Sequence, residues 1–288
     1  MKKPVFILSF FIISLSAIAQ EPTDTSYWKK GGMGTLTFSQ VSFYQWASGG
    51  ENSYSGNGFL NLFANYKKEN VNWDNSLGLG YGILKQGPLT KKSEDRIDFS
   101  SQFGMTASGK WNYSALLGFK TQFDKGYNYP DVSTKISDFF SPAYLTVSLG
   151  MDYKPNDRFN LFISPLTGKM TFVVDDSLAF VGAFGVDPGK NFRAEFGGFV
   201  KAFYHQPIMK NVDMQIKADL FSNYLKNPGN IDVSAEFLVV MKINEFLAAT
   251  INVLMIYDDD INLLQSDDTY GPGVQIKEVF GVGLSYKF

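Results

Sequence analysis

Apolar and polar residues alternate along this chain in runs longer than an ordinary globular strand. Residues 231–243 put Ile231, Val233, Ala235, Phe237, Val239, Met241 and Ile243 on one face, and Asp232, Ser234, Glu236 and Lys242 on the other. The stretch 72–83 sets Trp73, Leu77, Leu79, Tyr81 and Ile83 against Asp74, Ser76, Gly78, Gly80 and Gly82. The stretch 111–123 sets Trp111, Tyr113, Ala115, Leu117, Phe119 and Phe123 against Asn112, Ser114, Gly118, Lys120 and Gln122. A period of two sends successive side chains to opposite faces of a sheet. Globular strands average about five or six residues, whereas a tilted strand needs about 9–11 to cross a bilayer. The pattern describes a sheet that is apolar on one side, polar on the other, and tall enough to span a membrane.

Twelve segments of this kind are predicted: 34–43, 54–66, 71–84, 95–108, 111–123, 143–154, 158–165, 191–204, 211–224, 231–243, 246–257 and 274–287. Their connections alternate in length. Short ones such as Gly109-Lys110 and Asn244-Glu245 take turns with longer ones at 44–53, 85–94, 124–142, 166–190, 225–230 and 258–273. Short turns on the periplasmic side and longer loops outside are the habit of outer-membrane barrels, which close on an even strand number. A secreted sandwich or soluble lipid-binding barrel would also alternate. It explains neither the strand length nor the Trp and Tyr residues near strand ends: Tyr66, Trp73, Trp111, Tyr113, Tyr144, Tyr224, Tyr257 and Tyr286. Such rings favour a membrane interface. The expected fold is an all-β, transmembrane antiparallel barrel of about twelve strands. An additional hairpin within 166–190 would raise the count to fourteen.

The chain's ends fit export. Lys2-Lys3, an apolar Val5–Ile13 stretch and Ala17-Ile18-Ala19 read as a signal peptide over residues 1–19. A short periplasmic segment, 20–33, then precedes a barrel over 34–288, and the expected location is the outer membrane of a Gram-negative bacterium. That lead-in, about fourteen residues, is too short for the plug of an energy-coupled transporter, so any transport is expected to be passive. Phe280, Val282, Leu284, Tyr286 and Phe288 share one face of the last strand, which resembles an outer-membrane targeting signal. With no Cys, the chain has no disulfide or thiolate site. A net charge of -2 gives no reason to expect nucleic acid. The expected partners are outer-membrane lipids, lipopolysaccharide and the barrel-assembly machinery.

In such a barrel the polar face lines the interior. The lumen-lining candidates are Asn61, Asp74, Asn112, Lys120, Arg193, Glu195, Lys201, Glu236 and Lys242. The 166–190 connection is itself apolar, and Met170, Phe172, Val174, Phe180 and Phe184 mark it as a loop that packs inward, as a plug, or touches an apolar substrate. Asp258, Asp259, Asp260, Asp267 and Asp268 offer oxygen ligands for a cation, yet lack the spacing and turn glycine of a calcium loop. His205, the only histidine, sits in a turn context, and no catalytic set or cofactor site is identified. Thr167-Gly168-Lys169 lacks the spacing of a phosphate loop.

Trp28-Lys29-Lys30-Gly31-Gly32, Phe38-Ser39-Gln40, Trp46 to Gly50, Ser164 to Val173 and Gly182 to Val186 resemble segments of the DUF3078 domain-containing proteins exported by Bacteroidetes. The resemblance extends over nearly the whole mature chain. It implies an outer-membrane barrel of unknown role and carries over no catalytic or ligand residues. Three functions follow for testing: a passive channel or transporter for small molecules, apolar ones included; a structural, envelope-organising barrel with a filled lumen; and an enzyme acting on envelope lipid or glycan.

Overall fold

The computed structural model describes residues 26–44, 51–264 and 269–288. The expected leader, 1–19, and Asp267 and Asp268 lie outside them. Twelve strands form one closed barrel: β1 (Trp28–Val41), β2 (Ser53–Lys68), β3 (Val71–Gln86), β4 (Leu89–Ser108), β5 (Trp111–Thr121), β6 (Ala143–Asn156), β7 (Phe159–Phe172), β8 (Phe192–Met209), β9 (Val212–Asn223), β10 (Ile231–Lys242), β11 (Leu247–Tyr257) and β12 (Gln275–Lys287). Each strand pairs antiparallel with the next, and β1 pairs with β12 to close the ring. Closure pairs the two terminal strands from Met33 to Thr37 and so removes the sheet edge over that stretch.

The expected strand count holds, while several boundaries move. β1 starts at Trp28 rather than 34, so Gly31 and Gly32 belong to the wall and not to a lead-in segment. Two adjacent glycines carry no alternation signal, but the closure needs them. The backbone of Gly32 exchanges two hydrogen bonds with that of Phe288, at 2.8 and 3.0 Å. A Cβ on Gly32 would stand 2.7 Å from the Phe288 ring. β4 starts at Leu89 and β7 runs to Phe172. Met170 and Phe172 are therefore strand residues, not loop residues. Both strands pass through bulges, β4 opposite Gly82/Ile83 and β7 between Ser164 and Thr167. A bulge inserts a residue and inverts the alternation, which hides strand continuity in the sequence.

The connection after β7 is not an extra hairpin. It folds into a short helix, α1 (Asp176–Phe180), and one 3-10 turn, Ala183–Gly185. Val173, Leu178, Ala179 and Val186 make a small core with Ala183 and Phe184 packed on it, while Val174 and Phe180 face out. The loop leans on the 122–142 connection: Val174 N–H donates to Phe140 O, Asp175 N–H to Ser141 Oγ, and Lys135 pairs with Asp175 at 2.6 Å.

The outer wall is apolar. Leu36, Phe38, Ile83, Leu149, Leu166, Ile276, Phe280 and Leu284 are all exposed on it. Near the short-turn end, Trp28, Tyr66 and Trp73 touch ring to ring, as do Trp111 and Tyr153. This is the girdle expected where a barrel wall meets the interface. Tyr144 departs from that role. It pairs in register with Thr171 and Lys120, whose side chains face the interior.

Candidate functional site: the ion-paired interior

Side chains from strands far apart in the ring can meet only through the lumen. Arg96 on β4 and Glu236 on β10 stand six strands apart in a ring of twelve, yet Nη1 donates to Oε1 at 2.9 Å. This pair therefore crosses the full width. Asn252 Nδ2 donates to the same carboxylate at 2.7 Å, and Lys217 approaches it at 3.5 Å. Lys120 on β5 meets Asp219 on β9 at 2.9 Å. Lys201 on β8 donates to Ser100 on β4 at 2.9 Å, and Lys277 on β12 pairs with Glu94 on β4 at 2.6 Å. Each of these three contacts bridges strands four apart.

Two further layers flank this belt. Toward the long loops, Lys169 pairs with Asp232 at 2.6 Å and stands 3.6 and 3.8 Å from Asp258 and Glu195. Arg193 bridges Glu195 at 2.7 Å, pairs with Asp260, and donates to Gly185 O at 3.0 Å. The last bond ties the loop after β7 to the barrel mouth. Lys226 reaches Asp260 at 2.9 Å. Burial pushes the Asp260 carboxyl up, but the hydrogen bonds and charges of Arg193 and Lys226 together outweigh it and hold the group below its ordinary range. Toward the short turns, Lys154 pairs with Asp74 and lies 3.4 Å from Asp152. Between the charged layers, Leu116, Phe162, Phe199 and Phe221 form a buried apolar cluster inside the wall, with Lys169 Nζ 5.0 Å above the Phe221 ring.

Among the sequence candidates, Asp74, Lys120, Lys201 and Glu236 thus enter cross-barrel contacts, while Arg193 and Glu195 pair with each other at the long-loop mouth. Asn61 lies opposite Gly78 in register, its Oδ1 3.3 Å from where a Cβ would stand. Asn112 is buried, with Nδ2 3.5 Å from Asp152 O. Lys242 is exposed at the short-turn rim. Alternation did not single out Arg96, Asp219, Lys154, Lys169, Lys277 or Glu94. Asp219 and Arg96 obey the alternation and were accessible by extending it. Lys169 and Glu94 sit beside bulges and were not.

The loop aspartates are engaged with other groups rather than gathered around a cation. Asp260 faces two basic side chains, while Asp259 accepts from Asn230 and from Tyr257. Among the described residues, no group of three or more His, Cys, Asp and Glu side chains is arranged to hold a metal ion. His205 lies near the short-turn end, 3.3 Å from Asp213.

A closed barrel with an apolar, aromatic-girdled outside and an ion-paired inside defines an outer-membrane β-barrel protein of a Gram-negative bacterium. Residues 38–127 match the family described as "Protein of unknown function (DUF3078)". The match runs from the end of β1 to just past β5, about a third of the chain. Solved structures similar to it include the translocator domain of autotransporter NalP from Neisseria meningitidis, at 10% identity and TM-score 0.40, covering 93% of this chain and 90% of that one. Another is the COG4313 outer membrane channel from Pseudomonas putida F1, at 10% identity and TM-score 0.40, covering 93% and 100%. The NanC porin follows at 9% identity and TM-score 0.37, covering 90% and 100%. No curated protein matches the sequence.

Proposed function

We propose that the protein is a passive outer-membrane channel or transporter for small molecules, held closed at rest by ion pairs across its lumen. The observation that carries this reading is the Arg96–Glu236 contact across the full barrel width. A charged interior is dear to build and gives a wall no added tightness over an apolar filling. It does give a set of contacts that part and re-form when a charged or polar solute competes for them. Such an axis favours polar solutes over apolar ones. Arg96, Glu236, Lys120, Asp219 and Lys201 would form the constriction, with Arg193, Glu195 and Asp260 at the outer mouth.

Conductance of the purified barrel in a planar bilayer tests this. Wild type should be mostly closed, and Arg96→Ala/Glu236→Ala should open more often and more widely. Steady closure of both sinks the channel reading and leaves the filled structural barrel, which the buried Leu116, Phe162, Phe199 and Phe221 cluster favours. In the same proposal, residues 1–19 are a leader removed on export. The barrel-assembly machinery inserts the remainder, and lipopolysaccharide meets its outer loops. Mass spectrometry of the purified chain checks the cleavage.

A further inference from the structure

The β1–β12 closure is much shorter than any other strand pairing in the ring. β1 and β12 pair over five residues, Met33–Lys287 to Thr37–Gly283, beyond which only Gly32 and Phe288 exchange backbone bonds. The other neighbouring strands pair over ten or more residues, β11 with β12 included. Above Thr37, residues Phe38 to Val41 stay with β2, while Gln275 to Val282 stay with β11. The two strands splay toward the long-loop end, that is, toward the outer leaflet. The apolar side chains beside the split are well exposed, Leu36 65%, Phe38 68%, Ile276 69% and Phe280 66%, with the exposed Glu278 between the last two. Backbone N–H and C=O groups lining such a split are costly to leave against hydrocarbon. A polar group must therefore reach them.

Just inside the split stands a fixed positive charge. Lys277 lies within the unzipped part of β12, and its side chain is 42% exposed although it pairs with the nearly buried Glu94. Glu94 and Phe59 pack beside Gly80, Asn57 and Ser93 beside Gly82, and Thr37 beside Gly281. We propose that the upper half of the β1–β12 seam is a lateral portal. Through it a single-chain amphipathic anion from the outer leaflet places its acidic head at Lys277 and leaves its aliphatic chain in the split. The head takes over Lys277 from Glu94 and offers acceptors to the free backbone N–H groups. The chain lies against Phe38, Ile276 and Phe280. This stands on the seam and not on axial conduction, so a barrel that never conducts would still show it.

The absence of cysteine allows a clean optical test. Bimane is attached to the inward-facing Ser39→Cys, beside the split, or to the inward-facing Thr146→Cys on β6, where the wall is continuous. The protein is held in phosphatidylcholine vesicles and titrated with 5-doxyl-stearate, an anionic amphipath with a quencher on its chain. The expected result is saturable quenching at position 39 and little at 146. Lys277→Gln should raise the half-saturating concentration about ten-fold, the worth of one charge-assisted hydrogen bond. Lys277→Arg should preserve it, and Glu94→Gln should lower it by freeing Lys277. The methyl ester of the probe should give no saturation. If Lys277→Gln fails to fold, Glu94→Gln and the ester carry the test. Equal quenching at 39 and 146 overturns the portal. Non-saturating quenching, the same for acid and ester and unchanged by Glu94→Gln, overturns the anion site.

Discussion

At the scale of single residues, the question is what an ion pair across a lumen contributes. Arg96 and Glu236 are largely withdrawn from solvent, with side chains 26% and 12% exposed. Removing one partner of a buried pair costs about 3–5 kcal/mol because the other charge is orphaned, whereas replacing both by apolar groups is often neutral. Arg96→Met should fall at the lower end, about 3 kcal/mol, since Lys217 and Asn252 still face Glu236. Arg96→Met/Glu236→Leu should recover most of that loss. Urea unfolding in lipid vesicles measures both. A single and a double variant both within about 0.5 kcal/mol of wild type would mean that the pair is water-screened, as an exposed bridge is, and that the lumen is open.

The loop after β7 sets a second problem, at the scale of elements. Asp175 caps α1, accepting from Ser177 N–H and Leu178 N–H at 3.0 and 3.1 Å. Lys135 and the Ser177 hydroxyl hold its carboxyl down at about 2, against a small opposing effect of burial. Lys135 also pairs with Asp138, whose carboxyl is lowered chiefly by that bond. A carboxylate with a folded value below its unfolded one, about 3.9, stabilises the fold fully above the unfolded value. That stabilisation is lost as pH falls through the folded value. Protection factors over 173–191, which correct exchange rates for the intrinsic pH dependence of the amides, should therefore be steady from pH 7 to about 5 and fall between about pH 4 and 2, ahead of the wall strands. Asp175→Ala should raise exchange there at neutral pH, removing about 1 kcal/mol of capping. Exchange with the same pH profile in Asp175→Ala and wild type would sink this account. The same segment shows what the sequence could not disclose. β2, β5 and β10 were legible to within a few residues because alternation runs through them unbroken. The bulge between Ser164 and Thr167 inverts the faces, so Lys169, Met170 and Phe172 read as loop. Arg96 and Glu236 lie 140 positions apart in the chain. Each is visible as a polar residue on a strand, but their meeting depends on strand number and barrel closure, which no local pattern encodes.

At the scale of the whole molecule, the decisive property is which side of the wall meets lipid. Leu149 sits midway along β6, facing out and 55% exposed. Leu225 is 78% exposed, in the connection after β9 on the long-loop side. In water, a charge at either position is nearly neutral in effect, because both are already solvated. In a bilayer the two separate: a basic residue at the midplane of a barrel's outer face costs about 2–4 kcal/mol, and one beyond the interface about 0–1. Leu149→Arg should therefore lower the unfolding free energy in lipid vesicles by about 2–4 kcal/mol while Leu225→Arg leaves it nearly unchanged. Placing the arginine on the inner face at Thr146 instead sets it opposite Lys169, around which the three carboxylates of Asp232, Asp258 and Glu195 are gathered. The inward variant should then cost less than the outward one although it is more enclosed. That inversion, with burial tolerated and exposure penalised, distinguishes a membrane wall from a soluble barrel. Equal and small effects of Leu149→Arg and Leu225→Arg would place the outer face in water.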